Sequence, residues 1–394
     1  MTDRRLRLVV SIYAHPELYP PTLNAVQALS AIAENIQLVY LNTRQSHWHY
    51  PQNVVAVPSG KPEVVNYLAS ASLPVKLKSF YRYVRQLRRT VQQQQPHYLL
   101  AYDTMALYAA TLAVKGLSNK PRLWYHNHDV NEPESMRRFS LMWLAQRAEK
   151  KAFPKLSIFS LPSMERLRFF DMNAFTGRFF FLPNYPSLAV FGALQPANKP
   201  VDAIKLIYQG SISDEHGLEE IIDALPHCQQ RTELFIIGFG SDAYKEKLRA
   251  LSQTSGVADR VTIHPPVPYA QLVRTSVNHH IGIAINIPKN IIYSTGGTAS
   301  NKIYEYAACG LPVLYFDAPQ YTQHLGAYKW ALPCNLQREG IIKQVTFLCR
   351  HFEELSGLAK KDFQEQLHYE KIVAPVIQFL SGHTQTLPTH GAAH

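Results

Sequence analysis

The sequence is poor in cysteine and contains no long apolar run. Four of its 394 residues are cysteines. Because none forms a Cys-x-x-Cys pair, a disulfide framework is not expected and a reducing compartment fits best. No apolar run approaches the roughly 18 residues that a membrane-spanning helix needs, so we expect a soluble or peripheral protein. The apolar stretch after the basic N-terminus ends at Tyr13 and Pro16, which predicts a first buried strand rather than a signal peptide.

Acidic residues are scarce relative to basic ones. Asp and Glu number 29 against 40 Lys and Arg, which gives a formal net charge of +11. Such a charge favours acidic partners, namely nucleic acid, an anionic membrane or a phosphorylated small molecule. A basic surface that serves solubility is the alternative. Because no recognised nucleic-acid motif is present, nucleic acid is not the expected partner.

The length and the apolar pattern predict two α/β domains. A chain of 394 residues exceeds what one core usually supports. Short apolar runs alternate with amphipathic segments, which is typical of βαβ units in a parallel sheet. The predicted strands are 6–13, 36–42, 97–103, 122–128, 157–163 and 178–184, and then 205–211, 233–241, 260–267, 280–286 and 311–316.

The two series of strands are separated by a proline-rich segment at 184–200. We therefore expect two doubly wound Rossmann-like domains, residues 1–190 and 191–368, that face a cleft. Residues 369–380 are predicted to form a C-terminal helix, and the polar residues 381–394 a disordered tail. Ligands of open parallel sheets bind beyond the carboxyl ends of the strands, so the strand-to-helix loops are the places to search.

Two loops of the second half carry anion-binding chemistry. The sequence "GSISDEHG" (210–217) places Gly210 where a ligand can approach the backbone, just before a helix start; an ordinary βα turn is the alternative. The sequence "STGGTASNKIYEY" (294–306) combines glycines and hydroxyls with a helix N-terminus, which favours a diphosphate. Lys302 adds a positive charge, and Glu305 lies on the same helical face, where it can accept hydrogen bonds from ribose hydroxyls. A salt-bridged surface helix is the alternative.

The stretch "SNKIYEYAACGLPVL" (300–314) resembles the signature of GT-B-fold glycosyltransferases, especially the retaining family-4-like enzymes of the glycosyl transferases group 1 type. The resemblance extends through "YQGSISDEHGLEEIIDAL", "ELFIIGFGSDAYKEKL" and "RVTIHPPVPYAQLVRTSVNHHIGIAI". It implies the GT-B fold, with a donor nucleotide-diphosphate sugar on the second domain and an acceptor on the first. It also implies that 369–380 cross back onto the first domain. Glu305 matches the ribose-binding Glu of the family.

Donor-side residues follow from this match and from the loop chemistry. They are Gly210, Ser211, His216, Gly296, Gly297, Thr298, Ser300, Asn301, Lys302 and Glu305. The chain departs from the family in two places. Gly297 stands where many members have a second Glu on the donor sugar, so backbone or Thr298 is expected to take over. Ser211 or Ser213 and His216 stand where many members have Arg and Lys, and His216 would serve if protonated.

Loops of the first half supply the other candidates. "LWYHNHDVNEP" (123–133) follows a strand, and the resemblance implies a His near the reacting sugar: His126 is the first choice, His128 the second, and Asp129 the third candidate for a catalytic role. A His bonded within a turn is the alternative. No metal or other cofactor is expected, since no fourth ligand and no Asp-x-Asp motif is present. His15 and Glu17, after the first strand, are candidate acceptor-side residues.

Residues 75–95 form the main basic element. Six Lys and Arg side chains alternate there with aromatic and aliphatic ones, which predicts a basic amphipathic helix able to bind an anionic membrane surface. A solvated helix packed by its aromatic side is the alternative. The basic residues at 137–155 extend the patch.

The function predicted from the sequence is transfer of a sugar, with retention, from a nucleotide-diphosphate sugar to a glycan or lipid-linked acceptor, in cell-surface polysaccharide or glycoconjugate synthesis. The expected location is the cytoplasm, peripherally on the inner face of the cell membrane. In the mechanism that the resemblance implies, the leaving phosphate helps deprotonate the acceptor. An inverting enzyme would need a base such as His126 or Asp129. A catalytically inactive GT-B-like scaffold and a nucleotide-sugar 2-epimerase are the alternatives.

Overall fold

The computed structural model describes residues 6–60, 71–130, 138–200 and 202–382. The tail predicted at 381–394 lies outside the described residues from position 383 onward, and so does Arg137 of the extended basic patch.

Thirteen strands are found in the described residues. They are β1 Leu6–Ile12, β2 Ala33–Leu41, β3 Val54–Ser59, β4 Tyr98–Tyr102, β5 Arg122–His126, β6 Ile158–Leu161, β7 Arg178–Phe181, β8 Ile204–Ile212, β9 Thr232–Gly240, β10 Val261–His264, β11 Ile281–Ala284, β12 Val313–Phe316 and β13 Ala331–Cys334. They form a seven-stranded sheet of order β3-β2-β1-β4-β5-β6-β7 and a six-stranded sheet of order β10-β9-β8-β11-β12-β13. Neighbouring strands run parallel throughout, with Val10 opposite Leu38 and Leu100 in the first sheet.

Helices connect the strands and cover both faces of each sheet. The α-helices are Pro20–Ser30, Leu73–Gln94, Asp103–Ala113, Leu141–Ala152, Leu188–Phe191, Leu218–Ala224, Asp242–Thr254, Tyr269–Ser276, Ile291–Ser294, Asn301–Ala308, Pro319–Leu325, Arg338–Arg350, Phe352–Glu365 and Tyr369–Leu380. Short 3-10 helices include Pro16–Leu18 and Met164–Phe169. The predicted class, α/β with two doubly wound parallel sheets, is confirmed.

The predicted strands are all present, but two strands of the structure were not predicted. β3 and β13 are short edge strands, and each contains a proline, Pro58 and Pro333. Proline cannot donate to the hydrogen-bond ladder, so it lowers the strand signal although edge positions tolerate it. Several predicted strands also ran on too far at their carboxyl ends: β5 ends at His126 and β10 at His264. The residues beyond those ends belong to loops.

The order of each sheet reverses beside its first strand. β1 lies between β2 and β4, and β8 lies between β9 and β11. Connections leave to opposite faces at these points, so a crevice opens at the carboxyl ends of the strands. The C-terminal helix Tyr369–Leu380 does not stay with the second half: Tyr369, Val373 and Val376 are buried in the core of the first half, among residues of β1 and the helix Pro20–Ser30.

Close packing places the helix Asn301–Ala308 directly on β11. A Cβ atom added to Gly282 of β11 would lie 2.2 Å from Cδ2 of the Tyr306 ring, well inside van der Waals contact. Ala307 and Ala308 of the same helix are fully buried. The small residues on both elements therefore fix the depth at which this helix sits, and with it the position of its polar residues.

This packing predicts the effect of a single methyl group. Gly282→Ala should lower the free energy of unfolding by about 1–3 kcal/mol, because the rigid Tyr306 ring must move. The matched control is Gly357→Ala in the helix Phe352–Glu365, where an added Cβ meets nothing within 4 Å; it should stabilise by about 0.5–1 kcal/mol. Urea unfolding of both variants measures the difference, and equal stability of the two would contradict this account of the helix.

Candidate functional site

A cavity of about 410 Å³ lies between the two halves, at the carboxyl ends of both sheets. Its walls come from the carboxyl ends of β8 and β9, from the loops after β8 and β10, and from residues of the segment 292–302. The first half contributes Glu17, Leu18, Pro20, Arg44 and Arg166. The volume is within the range usual for small-molecule sites.

Glu305 forms one end of this cavity. Its side chain is 6% exposed. One carboxylate oxygen accepts a hydrogen bond from Tyr269 Oη at 2.7 Å, and the other accepts from the amide of Gln209. Ser276 Oγ donates to the Gln209 carbonyl oxygen at 2.9 Å, which fixes the orientation of that amide. Burial raises the pKa of Glu305 to about 7. A carboxylate oxygen can accept more than one hydrogen bond, so both oxygens retain capacity for ligand hydroxyls.

Lys302 lines the same cavity but does not pair with Glu305. Its ammonium group lies 4.4 Å from the centre of the Tyr208 ring and donates to Tyr208 Oη at 3.4 Å. It makes no ion pair with any residue that the structure describes. Burial without a counter-ion lowers the pKa of Lys302 to about 7. An anion bound beside this amine would restore its charge.

The segment before the helix divides into a part that faces the cavity and a part that anchors it. Gly296, Ser300 and Asn301 line the cavity. The Ser300 side chain makes no capping bond, so the first N–H groups of the helix stay available to an anion. Gly297 and Thr298 are not part of the lining: Thr298 Oγ1 donates to the carbonyl of Pro162 at 2.6 Å.

Gly297 has a steric reason to be glycine. A Cβ at this position would lie 2.4 Å from Gln320 O and 2.4 Å from the His324 ring. A second Glu therefore cannot stand here without displacing the helix Pro319–Leu325. The Thr298 side chain bonds to the first half, so it does not reach the cavity in place of the missing carboxylate. Gly296 and Ser300 supply that wall instead.

Gly210 and Ser211, at the end of β8, and His216, in the loop that follows, also line the cavity. His216 is 1% exposed, and its Nδ1 donates to the carbonyl of Ile285 at 3.0 Å. Burial, and then the charge of Lys302, lower the pKa of His216 to about 3. His216 is thus neutral near pH 7, and its remaining ring nitrogen is an acceptor, 3.4 Å from Tyr293 Oη. His216 therefore does not supply the positive charge that Arg and Lys supply here in many members of the resembling family.

The first-half histidines lie behind the cavity wall rather than on it. His126 is 4% exposed and its Nδ1 lies 2.9 Å from Ser160 Oγ. Ser160 Oγ also accepts from the Trp124 indole at 2.9 Å. The other nitrogen of the His126 ring is Nε2. That nitrogen has no partner among the described residues, and burial places the pKa of His126 well below its usual range.

His128 is held by a carboxylate that the sequence did not single out. Asp103 Oδ2 lies 3.2 Å from His128 Nδ1, and Asp103 Oδ1 accepts the backbone N–H of His128 and of Asp129. Asp103 has a left-handed backbone with φ of 65°, a strained conformation for a residue other than glycine. The His128 ring stacks on Tyr102, and its Nε2 has no partner in the described part of the chain. This is the arrangement of an oriented base.

Arg166 is the functional candidate that sequence reasoning missed. It lies in the 3-10 helix Met164–Phe169, is 1% exposed and lines the cavity. Its Nε donates to Thr295 Oγ1 at 3.0 Å, its Nη1 donates to the carbonyl of His128, and Asp129 Oδ1 is 3.7 Å away. The available signal was its place just after β6, at the carboxyl end of the first sheet.

The acceptor-side candidates have different positions. Glu17 lines the cavity, and its Oε1 accepts from Ser46 Oγ and from the backbone N–H of His47 and Trp48, which positions that loop. The Trp48 ring in turn lies 5.8 Å from that of Tyr269 across the cleft. His15 does not line the cavity: it is fully buried, and burial lowers its pKa to about 4.

No group of three or more His, Cys, Asp and Glu side chains is placed to hold a metal within the ranges that the structure describes. Metal-free action stays a prediction. No helix in the same ranges has both the length and the hydropathy of a membrane span.

The family model of glycosyl transferases group 1 matches residues 203–350. This region is therefore similar to the glycosyl transferases group 1 family. The prediction of that family from the 300–314 stretch is confirmed. The D-inositol 3-phosphate glycosyltransferase of Xylanimonas cellulosilytica is 29% identical over 117 residues, which cover 29% of this chain and 26% of that enzyme. Both matches support a transferase, as the sequence predicted.

Solved structures extend the likeness to the first half. Sucrose-phosphate synthase of Thermosynechococcus elongatus superimposes with a TM-score of 0.70 at 13% identity, covering 96% of this chain and 99% of that one. Anabaena HepE in complex with UDP and glucose gives a TM-score of 0.61 at 14% identity, covering 96% and 100%. At such low identity these matches establish the fold, and the fold is GT-B, as predicted.

Because the carboxyl group of Glu305 is buried, we expect the substitution Glu305→Gln to raise stability and to weaken ligand binding. The pKa of Glu305 rises from 4.5 to about 7 on folding, so between those values the folded chain holds more protons than the unfolded chain, and the free energy of unfolding falls as pH rises. Glu305→Gln has no carboxyl group to titrate, so its free energy of unfolding does not fall with pH for this reason. The variant should be about 1–3 kcal/mol more stable than wild type at pH 8 and nearly equal at pH 4.5.

Urea unfolding at both pH values measures this difference. Ligand hydroxyls should bind the variant roughly tenfold to a hundredfold more weakly, since an amide oxygen is a weaker acceptor than a carboxylate. Ser356→Ala, a buried polar position outside the cavity, is the control. A destabilised Gln variant at pH 8 would contradict the assigned environment of Glu305.

Proposed function

We propose that the protein is a glycosyltransferase that moves a sugar from a nucleotide-diphosphate sugar to a glycan or lipid-linked acceptor, with retention, in the synthesis of a cell-surface polysaccharide or glycoconjugate. The observation that carries the proposal is the pair Lys302 and Glu305, which face one cavity from the same helix without neutralising each other. A ligand with hydroxyls at one end and phosphates beside them satisfies both groups.

We assign the parts of the proposed donor to parts of the cavity wall by their chemistry. Ribose hydroxyls donate to Glu305, and the diphosphate lies at Lys302, Ser300 and the free N–H groups of the helix start. The base lies toward the loop after β10, near Val267 and Tyr269. The match to HepE, which was solved with UDP bound, supports a nucleotide in this cleft of the fold.

Transfer requires stabilisation of the departing diphosphate. Lys302, charged once an anion is beside it, and the helix N-terminus stabilise the charge that develops on the leaving oxygen. The first half closes the cavity on the other side and excludes water, which protects the activated sugar from hydrolysis. Retention follows from the family resemblance, in which the leaving phosphate takes the acceptor proton on the same face. For the inverting alternative the base is Asp129, which is about half exposed and lies 3.7 Å from the cavity-lining Arg166.

We also propose that the first half docks on the cytoplasmic face of an anionic membrane. The helix Leu73–Gln94 buries Phe80, Tyr83 and Leu87 against the sheet. Its outer face exposes Leu73, Leu77 and Tyr81 at helical spacing, with Tyr81 68% exposed. The exposed basic residues on that face are Lys78, Arg82, Arg85 and Arg89. Apolar side chains flanked by positive charge fit an anionic bilayer surface, where a lipid-linked acceptor would reside. All four cysteines are free, which suits a reducing cytoplasm.

Nucleotide binding is the first test. Calorimetry with UDP, GDP, ADP and CMP should find one nucleotide that binds, and Glu305→Ala should weaken that nucleotide at least tenfold because the ribose loses its acceptor. Incubation of the matching nucleotide sugar with lipid or glycan acceptors should then release the nucleoside diphosphate and form a product with the donor's anomeric configuration. Binding without turnover would favour the inactive scaffold, and conversion of the donor without any acceptor would favour the 2-epimerase. Failure of every nucleotide to bind would overturn the proposal.

The membrane proposal has its own test. The protein should sediment with vesicles that contain phosphatidylglycerol and remain free of vesicles of phosphatidylcholine, and binding should weaken with salt. Arg85→Glu with Arg89→Glu should lower vesicle binding at least tenfold. Arg249→Glu with Arg350→Glu, which makes the same charge change on the second half, is the control. Equal loss in both double variants would show that net charge, rather than this helix, is responsible.

A further inference from the structure

The second half, to which the nucleotide is assigned, contributes no arginine to the cavity wall. On that half the wall offers Lys302, whose pKa is lowered to about 7, and His216, whose pKa is lowered to about 3. The two phosphates of a nucleoside diphosphate carry more negative charge than the single amine of Lys302 balances. The permanent positive charges of the lining come from the first half, as Arg44 and Arg166.

These two arginines are placed differently. Arg44 lies 5.3 Å over the ring of Phe239, at the carboxyl end of β9. Arg166 is held at the segment that precedes the phosphate-facing helix, through its Nε bond of 3.0 Å to Thr295 Oγ1. Thr295 adjoins Gly296, which lines the cavity. Arg166 therefore lies beside the segment that leads into the helix N-terminus, the part of the wall to which the diphosphate is assigned.

The guanidinium of Arg166 is oriented but not saturated. Its Nε and Nη1 are used by Thr295 and by the carbonyl of His128. Its Nη2 has no hydrogen-bond partner among the described residues. Asp129 Oδ1 lies 3.7 Å from Nη1, and the Asp129 side chain is 48% exposed, so it offsets the charge of Arg166 partly and through solvent. An arginine that is 1% exposed and has a free donor toward a cavity is suited to bind an anion.

We propose that Arg166 binds the distal phosphate of the donor from the first half, in place of the cation that the second half lacks. The inference rests on the proposed function. Because Arg166 also bonds Thr295 of the second half and the carbonyl of His128 in the first, a diphosphate at this point joins the two halves around itself. A nucleoside monophosphate, which ends one phosphate earlier, does not reach Arg166.

The test compares UDP with UMP, and GDP with GMP, by calorimetry on the full-length chain. Wild type should bind the diphosphate more tightly than the monophosphate. Arg166→Gln should weaken the diphosphate about tenfold to a hundredfold and leave the monophosphate within about twofold. Arg166→Lys, which keeps the charge but loses the fork of donors, should fall between. Asp129→Asn removes the partial counter-charge, so it should tighten diphosphate binding about threefold.

Arg168→Gln is the matched control, since Arg168 lies in the same 3-10 helix with its guanidinium over Phe169, away from the cavity between the halves. It should leave both affinities unchanged. Unchanged monophosphate binding by Arg166→Gln also reports that the site is folded. If wild type prefers the diphosphate and Arg166→Gln keeps that preference, the role of Arg166 is overturned while the proposed function stands. If neither nucleotide binds wild type, both fall.

Discussion

A half-buried amine and a buried carboxyl group, those of Lys302 and Glu305, lie one turn apart on the helix Asn301–Ala308 and do not contact each other. Lys302 turns to the Tyr208 ring, and Glu305 to the hydroxyl of Tyr269 and the amide of Gln209. Each group is taken from water without an ionic partner, so the pKa of each lies near 7. The ligand-free protein thus keeps a desolvation cost that a suitable ligand removes at both ends. The rest of the site follows from keeping these two groups apart and aimed at one space.

The second half alone does not keep that space in shape. The segment before the helix is anchored from the first half: Thr298 donates to Pro162, and Asn184 donates to the carbonyl of Ala299 at 2.7 Å. The hydrogen bond between His324 and Glu165, at 2.6 Å, adds a third link. The backbone that faces a phosphate is therefore positioned by contacts on its far side. Any change in how the halves meet would be transmitted to the donor wall through these hydrogen bonds.

Sequence reasoning predicted what local pattern encodes and missed what the fold assembles. Glu305 and Lys302 were found because they belong to one helix with a recognisable context, and the doubly wound sheets because apolar runs alternate with amphipathic ones. Asp103 and Arg166 were not found. Each follows a different strand and becomes relevant through partners 25 to 129 positions away, and no local pattern carries that information. The crowding that requires glycine at position 297 is likewise a contact with a distant helix.

The neutral state of His216 shows a second limit of sequence reasoning. The residue type indicates a group that titrates near neutrality. Its charge, however, depends on burial and on the bond to Ile285, and both are known only from the fold. The same holds for His15. The sequence could name these groups but could not assign their protonation.

The helix Tyr369–Leu380 makes the chain less modular than its two sheets suggest. Its buried residues fill part of the core of the first half, so that core is assembled from segments that are far apart in the sequence. During synthesis the first half would therefore leave the ribosome incomplete, with an apolar groove that stays open until the second half and this helix have also been made. Recombination between relatives that exchanged whole second halves would also exchange this helix, and would have to keep its fit to a first half of different origin. The need to keep this fit limits which first and second halves can be combined by domain exchange.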